Sequence, residues 1–374
     1  MAAGEMGHET RVGLIVNASA ARDVRRLTSL ARTIDVHERV NLVARVLRGL
    51  SGGRVGRVML MPEPAHVVER AVDLLSASGV SPADLGFDLE PVGLPGDGEA
   101  RDAAGTTLAA SAMAEAGVAC LVTVGGDGTN RAVVSGWPSA ALVPLAGGTN
   151  NAFGVQIDPT AAGVAAALYA ADPGRYHEQT RQAPRLEVRV DADPGLTTSA
   201  LIDVVLVRSG WLGAHALWDP ATLVEAIVTR SDPSLTGLAG VAGVLCPLPV
   251  EWPAAVHVEF DPAGASVMVP LGPGQLVSIG VRDWRRIEPD DRVELGRRAL
   301  ENDSGDVRDV GRWTLALDGE RQIILDPGTS ASVRLATDGP RVIDAHGVLW
   351  AAARSGELAR SAAPHGTLAG RGAD

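Results

Sequence analysis

No lysine occurs anywhere in this chain; all 33 of its basic residues are arginine. That excludes the lysine of a Walker A phosphate loop, the strand lysine of a protein kinase and Schiff-base chemistry. A cationic partner for phosphate must then be arginine, a protonated histidine or a metal. Cysteine is nearly as scarce. Cys120 and Cys246 alone build neither a disulfide framework nor a zinc cluster, and Cys120, inside an apolar run, reads as a core residue. Aromatic residues make up 3% of the chain. No apolar run approaches the ~18 residues of a spanning helix, so no stable membrane insertion is expected. Met1–Thr10 carries acids and no apolar stretch, which does not read as a secretion signal, so the expected location is the reducing cytoplasm. Positive charge is in deficit too. The net charge of −12 argues against a nucleic-acid partner and against docking on anionic membranes.

What is present in quantity is glycine, placed where chemistry needs it. The strand-like run ending Val122-Thr123-Val124 leads into Gly125-Gly126-Asp127-Gly128-Thr129. Glycine lets a chain turn sharply and bring backbone N–H groups up to a phosphate. A carboxylate in such a cradle repels the anion, so its presence points to a metal partner or to a base for an attacking hydroxyl. The alternative is an ordinary strand-to-helix turn with Asp127 as N-cap. A second run, Leu142-Val143-Pro144-Leu145-Ala146, ends in Gly147-Gly148-Thr149-Asn150-Asn151-Ala152-Phe153. If both strands share one sheet, both loops open at its carboxyl edge, where α/β folds hold ligands, and Thr149, Asn150 and Asn151 can donate to phosphate or ribose oxygens.

The length of 374 residues and 46% hydrophobic content suit two domains. Val12–Val16 and Arg57–Met61 read as strands, with a helix between them opening on Asp35 and Glu38 and burying Val40, Val43, Leu47 and Leu50. Helices are expected at Ala65–Ala77 and Asp102–Ala116, then a strand at Val118–Val124. This alternation predicts a mostly parallel sheet with helices on both faces, over residues 11–153. After a helix at Thr160–Ala170, period-two runs at Leu186–Val190, Leu201–Val207, Val256–Phe260, Leu276–Gly280, Trp313–Leu317, Gln322–Leu325 and Ser332–Leu335 predict a mainly antiparallel β domain over residues 154–345. One inserted helix is expected at Ala221–Arg230, and a disordered tail over residues 355–374.

Gly125-Gly126-Asp127-Gly128-Thr129 resembles the signature of the NAD kinase and diacylglycerol kinase superfamily, and Pro144 through Phe153 resembles its second motif. Val12 through Ser19 is similar to its first strand and Asn-containing loop. Arg22 through Leu27, Asp35 through Asn41, Ala216 through Pro220 and Leu315 through Glu320 resemble the ATP-NAD kinase-like branch that includes acetoin-catabolism protein X. The resemblance runs from residue 11 to residue 345, most of the chain. It implies an ATP-dependent kinase that uses Mg²⁺ and passes the γ-phosphoryl group to a hydroxyl, most naturally the ribose hydroxyl of NAD. By resemblance, Asp127 is the general base or metal partner. Gly125, Gly126, Gly128 and Thr129 hold the ATP phosphates, and Asn17 and Thr149 line the same nucleotide, with Asn150 and Asn151 beside them. Asp318 and Glu320 are implied to help hold Mg²⁺, and a homo-oligomer is compatible. These motifs do not specify the acceptor. A diacylglycerol- or sphingoid-type lipid kinase and a non-catalytic nucleotide-binding regulator remain alternatives, and Asp318-Gly319 also fits a two-residue hairpin turn. The weaker candidates are His215, which reads first as a packed structural histidine, the Arg282-Asp283-Trp284 cluster after an apolar strand, and Arg25 and Arg26, which a solvated helix face explains equally well.

Overall fold

The computed structural model describes residues 9–17, 34–96, 98–147, 151–191, 193–208, 219–296, 313–319, 321–326 and 329–360. Strand and helix alternate first: β1 (Arg11–Val16), α1 (Val36–Leu50), β2 (Arg57–Leu60), α2 (Val67–Ala77), β3 (Asp88–Pro91), α3 (Ala103–Glu115), β4 (Cys120–Gly125), α4 (Asp127–Gly136), β5 (Ala141–Ala146). The local causes are those the sequence offers. The Asp35 carboxylate accepts the Glu38 N–H at 2.8 Å at the start of α1, and Val40, Val43, Leu47 and Leu50 are all buried. Asp102 accepts the Gly105 N–H at 2.9 Å to open α3, which ends before Gly117 at φ +70°.

β1 to β5 form the parallel part of a seven-stranded sheet in the order β3-β2-β1-β4-β5. Residues beyond 153 complete it. β17 (Arg341–Ile343) adds parallel to β5, and β6 (Thr180–Gln182) closes the edge antiparallel to β17. α1, α2, α5 (Pro159–Ala171) and α7 (Ala345–Arg354) cover one face, and α3 with α4 covers the other. The first unit is therefore not confined to residues 11–153.

The second unit is antiparallel throughout. A six-stranded sheet runs β12 (Gln275–Ile287), β11 (Ala255–Gly272), β10 (Leu223–Val228), β9 (Asp203–Val207), β14 (Trp313–Leu317), β15 (Arg321–Leu325). A four-stranded sheet runs β13 (Arg292–Leu295), β16 (Ala331–Ala336), β7 (Arg185–Val190), β8 (Asp193–Ala200). Leu186, Val188, Val333 and Leu335 of the smaller sheet pack on Val204, Leu206, Leu315 and Leu317 of the larger one. The larger sheet's other face lies under Leu238, Val241 and Ala242 of α6 (Leu238–Leu245).

Two expectations change. The helix expected at Ala221–Arg230 is strand β10, buried at every position between β9 and β11. Val224, Ile227 and Val228 fit a pleated surface covered on both sides, and a short apolar run carries no period to separate strand from helix. The tail expected from residue 355 begins in order: α8 (Glu357–Arg360) is helical, and Glu357 accepts the Tyr176 hydroxyl at 2.7 Å and pairs with Arg175 at 3.3 Å.

Candidate functional site

The strand order reverses between β1 and β4, since β2 and β3 lie beyond one and β5 beyond the other. Open α/β sheets take their ligands outside the carboxyl ends of the strands at such a reversal. Both leading candidates stand there. Val16 is opposite Val124 in register, so Asn17 leaves β1 beside the Gly125-Gly126 exit of β4. The Asn17 N–H donates to the Val124 carbonyl at 3.0 Å, and its Nδ2 donates to Thr129 Oγ1 at 2.9 Å.

Close approach, rather than left-handed backbone, requires the glycines. Gly126 caps α4 at φ −94° and ψ −172°, and none of Gly125, Gly126 and Gly128 has a positive φ. A Cβ on Gly125 would lie 2.5 Å from Thr129 Oγ1, and one on Gly147 would lie 2.8 Å from the Gly125 nitrogen. The two loops therefore touch, and the Gly147 N–H donates to the Gly125 carbonyl at 2.9 Å. Asn130 fixes the first turn of α4: it accepts the Thr123 hydroxyl at 2.7 Å and donates to the Gly126 carbonyl at 3.2 Å.

Asp127 is the first residue of α4 but does not cap it. Its carboxylate reaches the second loop instead, where Oδ2 accepts the Ala152 N–H at 3.1 Å and Oδ1 accepts the Phe153 N–H at 2.9 Å. The residue is 9% exposed. Burial raises its pKa to about 7; the two amide donors and the charge of Arg230 pull the other way, and Asp318 adds to the rise. Half-buried Asn151 adjoins this contact. Thr149, Asn150, His215, Arg25 and Arg26 lie outside the described residues.

Asp318 does not fit the expected metal role. With Gly319 it forms the turn between β14 and β15, at φ 49° and 68°, as an Asp-Gly hairpin turn requires. Its carboxylate is fully enclosed. Oδ1 accepts the N–H groups of Leu201, Ile202 and Asp203 at 3.1, 2.8 and 3.1 Å, and Oδ2 lies 2.9 Å from the Leu201 nitrogen and 3.8 Å from Arg131 Nε. Both oxygens are engaged by backbone N–H groups and the side chain has no exposed surface, so the carboxylate faces protein rather than an open cleft. Glu320 lies outside the described residues, and no cluster of three or more His, Cys, Asp or Glu side chains suited to a metal occurs among those described. The described residues do not form a magnesium cage. The Arg282 cluster is also remote: Arg282 pairs with Asp261 at 3.0 Å among exposed residues of the β11–β12 hairpin.

Sequence reasoning missed the cations. Arg131 stands one helical turn after Asp127, a spacing that places both on one face of α4. Arg230, just past β10 and 9% exposed, lies with its guanidinium 5.5 Å from the centre of the Phe153 ring. Arg181 comes from edge strand β6. The i, i+4 spacing was the one available signal for Arg131. Nothing local marks Arg181 or Arg230.

Fold and site together define a two-part protein: a mostly parallel α/β layer with an aspartate-bearing glycine loop at its strand-order reversal, joined to an antiparallel β-sandwich. Yeast NADH kinase, solved with NADH, is similar in structure over 97% of this chain and 91% of its own, with 13% identity and a TM-score of 0.47. A candidate diacylglycerol kinase from Bacillus anthracis str. Sterne is similar over 89% of this chain and 98% of its own, with 11% identity and a TM-score of 0.38. Residues 184–338 match the acetoin catabolism protein X C-terminal domain. Acetoin catabolism protein X of Cupriavidus necator (strain H16) is 33% identical over 345 residues, 89% of each chain. The chain belongs to the acetoin catabolism protein X family, as its motifs led one to expect. Among the described residues no helix is long and apolar enough to cross a membrane.

Proposed function

We propose that the protein is an ATP-dependent phosphotransferase that passes the γ-phosphoryl group to a hydroxyl, best matched by the ribose hydroxyl of NAD. The observation that carries this reading is Asp127: a buried carboxyl beside two touching glycine loops, at a strand-order reversal, with a pKa near 7. A group of that pKa is ionised enough to take a proton near neutral pH and basic enough to hold it. As the hydroxyl oxygen attacks the γ-phosphorus, its proton passes to Asp127, the bond to the bridging oxygen breaks and ADP leaves. Catalysis of this kind is positioning plus stabilisation of charge on the transferred group. In a chain without lysine that charge falls to backbone N–H groups and arginine. The described residues form no magnesium cage, so the metal would enter with the nucleotide as its complex. The acidic, aromatic-poor composition supports a dinucleotide acceptor over a lipid one.

A nucleotide-binding regulator without chemistry is the second reading. One observation favours it: residues 121–134 are all buried, and the second loop occupies both oxygens of Asp127. Incubation with the magnesium complex of ATP and either NAD or diacylglycerol separates the readings. NADP formed supports the first, phospholipid formed supports a lipid kinase, and bound nucleotide without product supports the regulator. Asp127→Asn is expected to keep nucleotide binding and to lose roughly 10²- to 10⁴-fold in turnover, the worth of general-base help. Unchanged turnover would remove Asp127 from the mechanism.

A further inference from the structure

Arg131 stands at Asp318 and Arg230 near Asp127, with Arg321 beside the first and Arg181 beside the second, and the four are not equally matched. Arg131 has Asp318 at 3.8 Å. Arg321 is an exposed residue beside Arg131, and its pKa is lowered by partial desolvation and by that neighbour. Arg230 and Arg181 differ from Arg131: no carboxylate of a described residue lies within ion-pair distance of either. Arg181 Nη1 is buried without a hydrogen-bond partner, as Arg131 Nε also is, but Arg181 has no ion pair among the described residues to offset it. Arg230 lies against the Phe153 ring, on the residue whose N–H holds Asp127. The two guanidiniums also repel each other. Burial, and after it that repulsion, lower the pKa of Arg230 to about 9, while Asp127 and Glu251 pull it back up; burial likewise lowers Arg181 against the pull of Glu251 and Asp344. Asp127 is itself displaced toward its neutral form, so it does not cancel Arg230. Two desolvated cations with no close counter-charge are a costly arrangement in a folded chain. They are also what a phosphate dianion needs, since guanidinium binds its oxygens in a bidentate fork.

The geometry points to Arg181 and Arg230 as a binding site for a phosphate group of the acceptor, on the Phe153 side of Asp127. This rests on reading the site as one that handles phosphoryl groups, and it narrows the acceptor to a phosphate ester or diphosphate such as a dinucleotide. A neutral diacylglycerol offers these arginines nothing to bind.

The test is calorimetric titration of the full chain with inorganic pyrophosphate, for the wild type, Arg181→Gln and Arg230→Met, with the melting temperature of each ligand-free protein. Each substitution is expected to weaken pyrophosphate binding about tenfold or more, the worth of a charge-assisted hydrogen bond. NAD is expected to displace pyrophosphate from the wild type. The ligand-free melting temperature should hold or rise, because each substitution removes a desolvated charge. Absence of pyrophosphate binding, unchanged affinity in both variants, or weaker binding that only accompanies a lower melting temperature would overturn the proposal. Should Arg230→Met fail to fold, Arg181→Gln on the edge strand still decides. The two readings fail separately. Arginine-dependent pyrophosphate binding without any phosphorylated product leaves the anion site standing and removes the kinase; turnover with an unchanged KM for NAD in Arg181→Gln does the reverse.

Discussion

Replacing Asp127 by Asn should make the protein more stable, and only at neutral and alkaline pH. Burial lifts the carboxyl from its ordinary value of 3.8 to about 7. At ~1.4 kcal/mol per pH unit, ionising Asp127 in the folded chain costs about 4 kcal/mol more than in the unfolded one. The sign follows from the direction of the shift. A carboxyl whose folded pKa is raised contributes stability that is fully present below pH ~4 and is lost as pH rises through ~7. Above that the charged form persists with its full penalty. Asn cannot ionise, so it escapes the penalty. It carries instead a fixed one, because its amide nitrogen must face the N–H of Ala152 or of Phe153 where the carboxylate accepted both, a mismatch worth about 1–3 kcal/mol at any pH. The stability of Asp127→Asn relative to the wild type should therefore start at or below zero near pH 4, climb by about 4 kcal/mol, and level off above pH ~7. In melting temperature that climb is about 5 °C for a chain of this size. Scanning calorimetry of both proteins across about pH 4 to 8 at constant ionic strength measures it. A difference flat with pH, or one that shrinks toward alkaline pH, would refute a buried Asp127 held near neutrality.

Two further outcomes follow from the same geometry. The pH profile of phosphoryl transfer should rise about tenfold per pH unit below ~7 and flatten above it, because the base must be ionised; a profile that flattens near pH 4 would mean an unperturbed carboxylate. Asp318→Asn should lower stability by about 1–3 kcal/mol, the cost of a buried polar group left without its partner, since it sets an amide nitrogen against a backbone N–H that the carboxylate accepted. Equilibrium unfolding in urea measures this, and a loss below about 1 kcal/mol would show that Asp318 is not the tie the contacts describe.

The alternating first unit was legible because its signals are local. An Asp three residues ahead of a Glu opens α1, glycines at positive φ follow α2 and α3, and helical spacing marks the buried side of α1. That the Asp127 loop leaves a strand at the carboxyl edge of the sheet was legible from the short apolar run before it, whereas Asn17 was set beside it only by family resemblance. What was not legible depends on partners far away in sequence. Strand β10 is apolar because it lies between two strands and beneath a helix, and six residues cannot announce that. Asp318 was read as acid in a turn, and the turn is there. Its role comes from backbone N–H groups more than a hundred positions earlier, at Leu201, Ile202 and Asp203, which no local pattern encodes. Arg230 gains meaning from Phe153 and Arg181 alone.

These distant contacts make the sandwich part of the site rather than an attachment to it. α4 carries Asp127 at its first position and Arg131 one turn later, and Arg131 pairs with Asp318 from the β14–β15 turn. Asp318 in turn holds the segment between β8 and β9. The helix that presents the acid is thereby tied to both sheets of the sandwich, while Arg230 comes to the same place from the end of β10. The two acids differ in their surroundings. Burial raises the pKa of Asp318 too, but the N–H groups of Leu201, Ile202 and Asp203 hold its carboxylate in place, which suits a fixed tie. Around Asp127 burial pushes the acid and Arg230 toward neutrality at once, so neither gains a full partner from the other. A site that leaves a base half-protonated and two guanidiniums uncompensated carries a destabilisation that an arriving phosphate relieves, and stability given up in this way is how a fold keeps a reactive group ready.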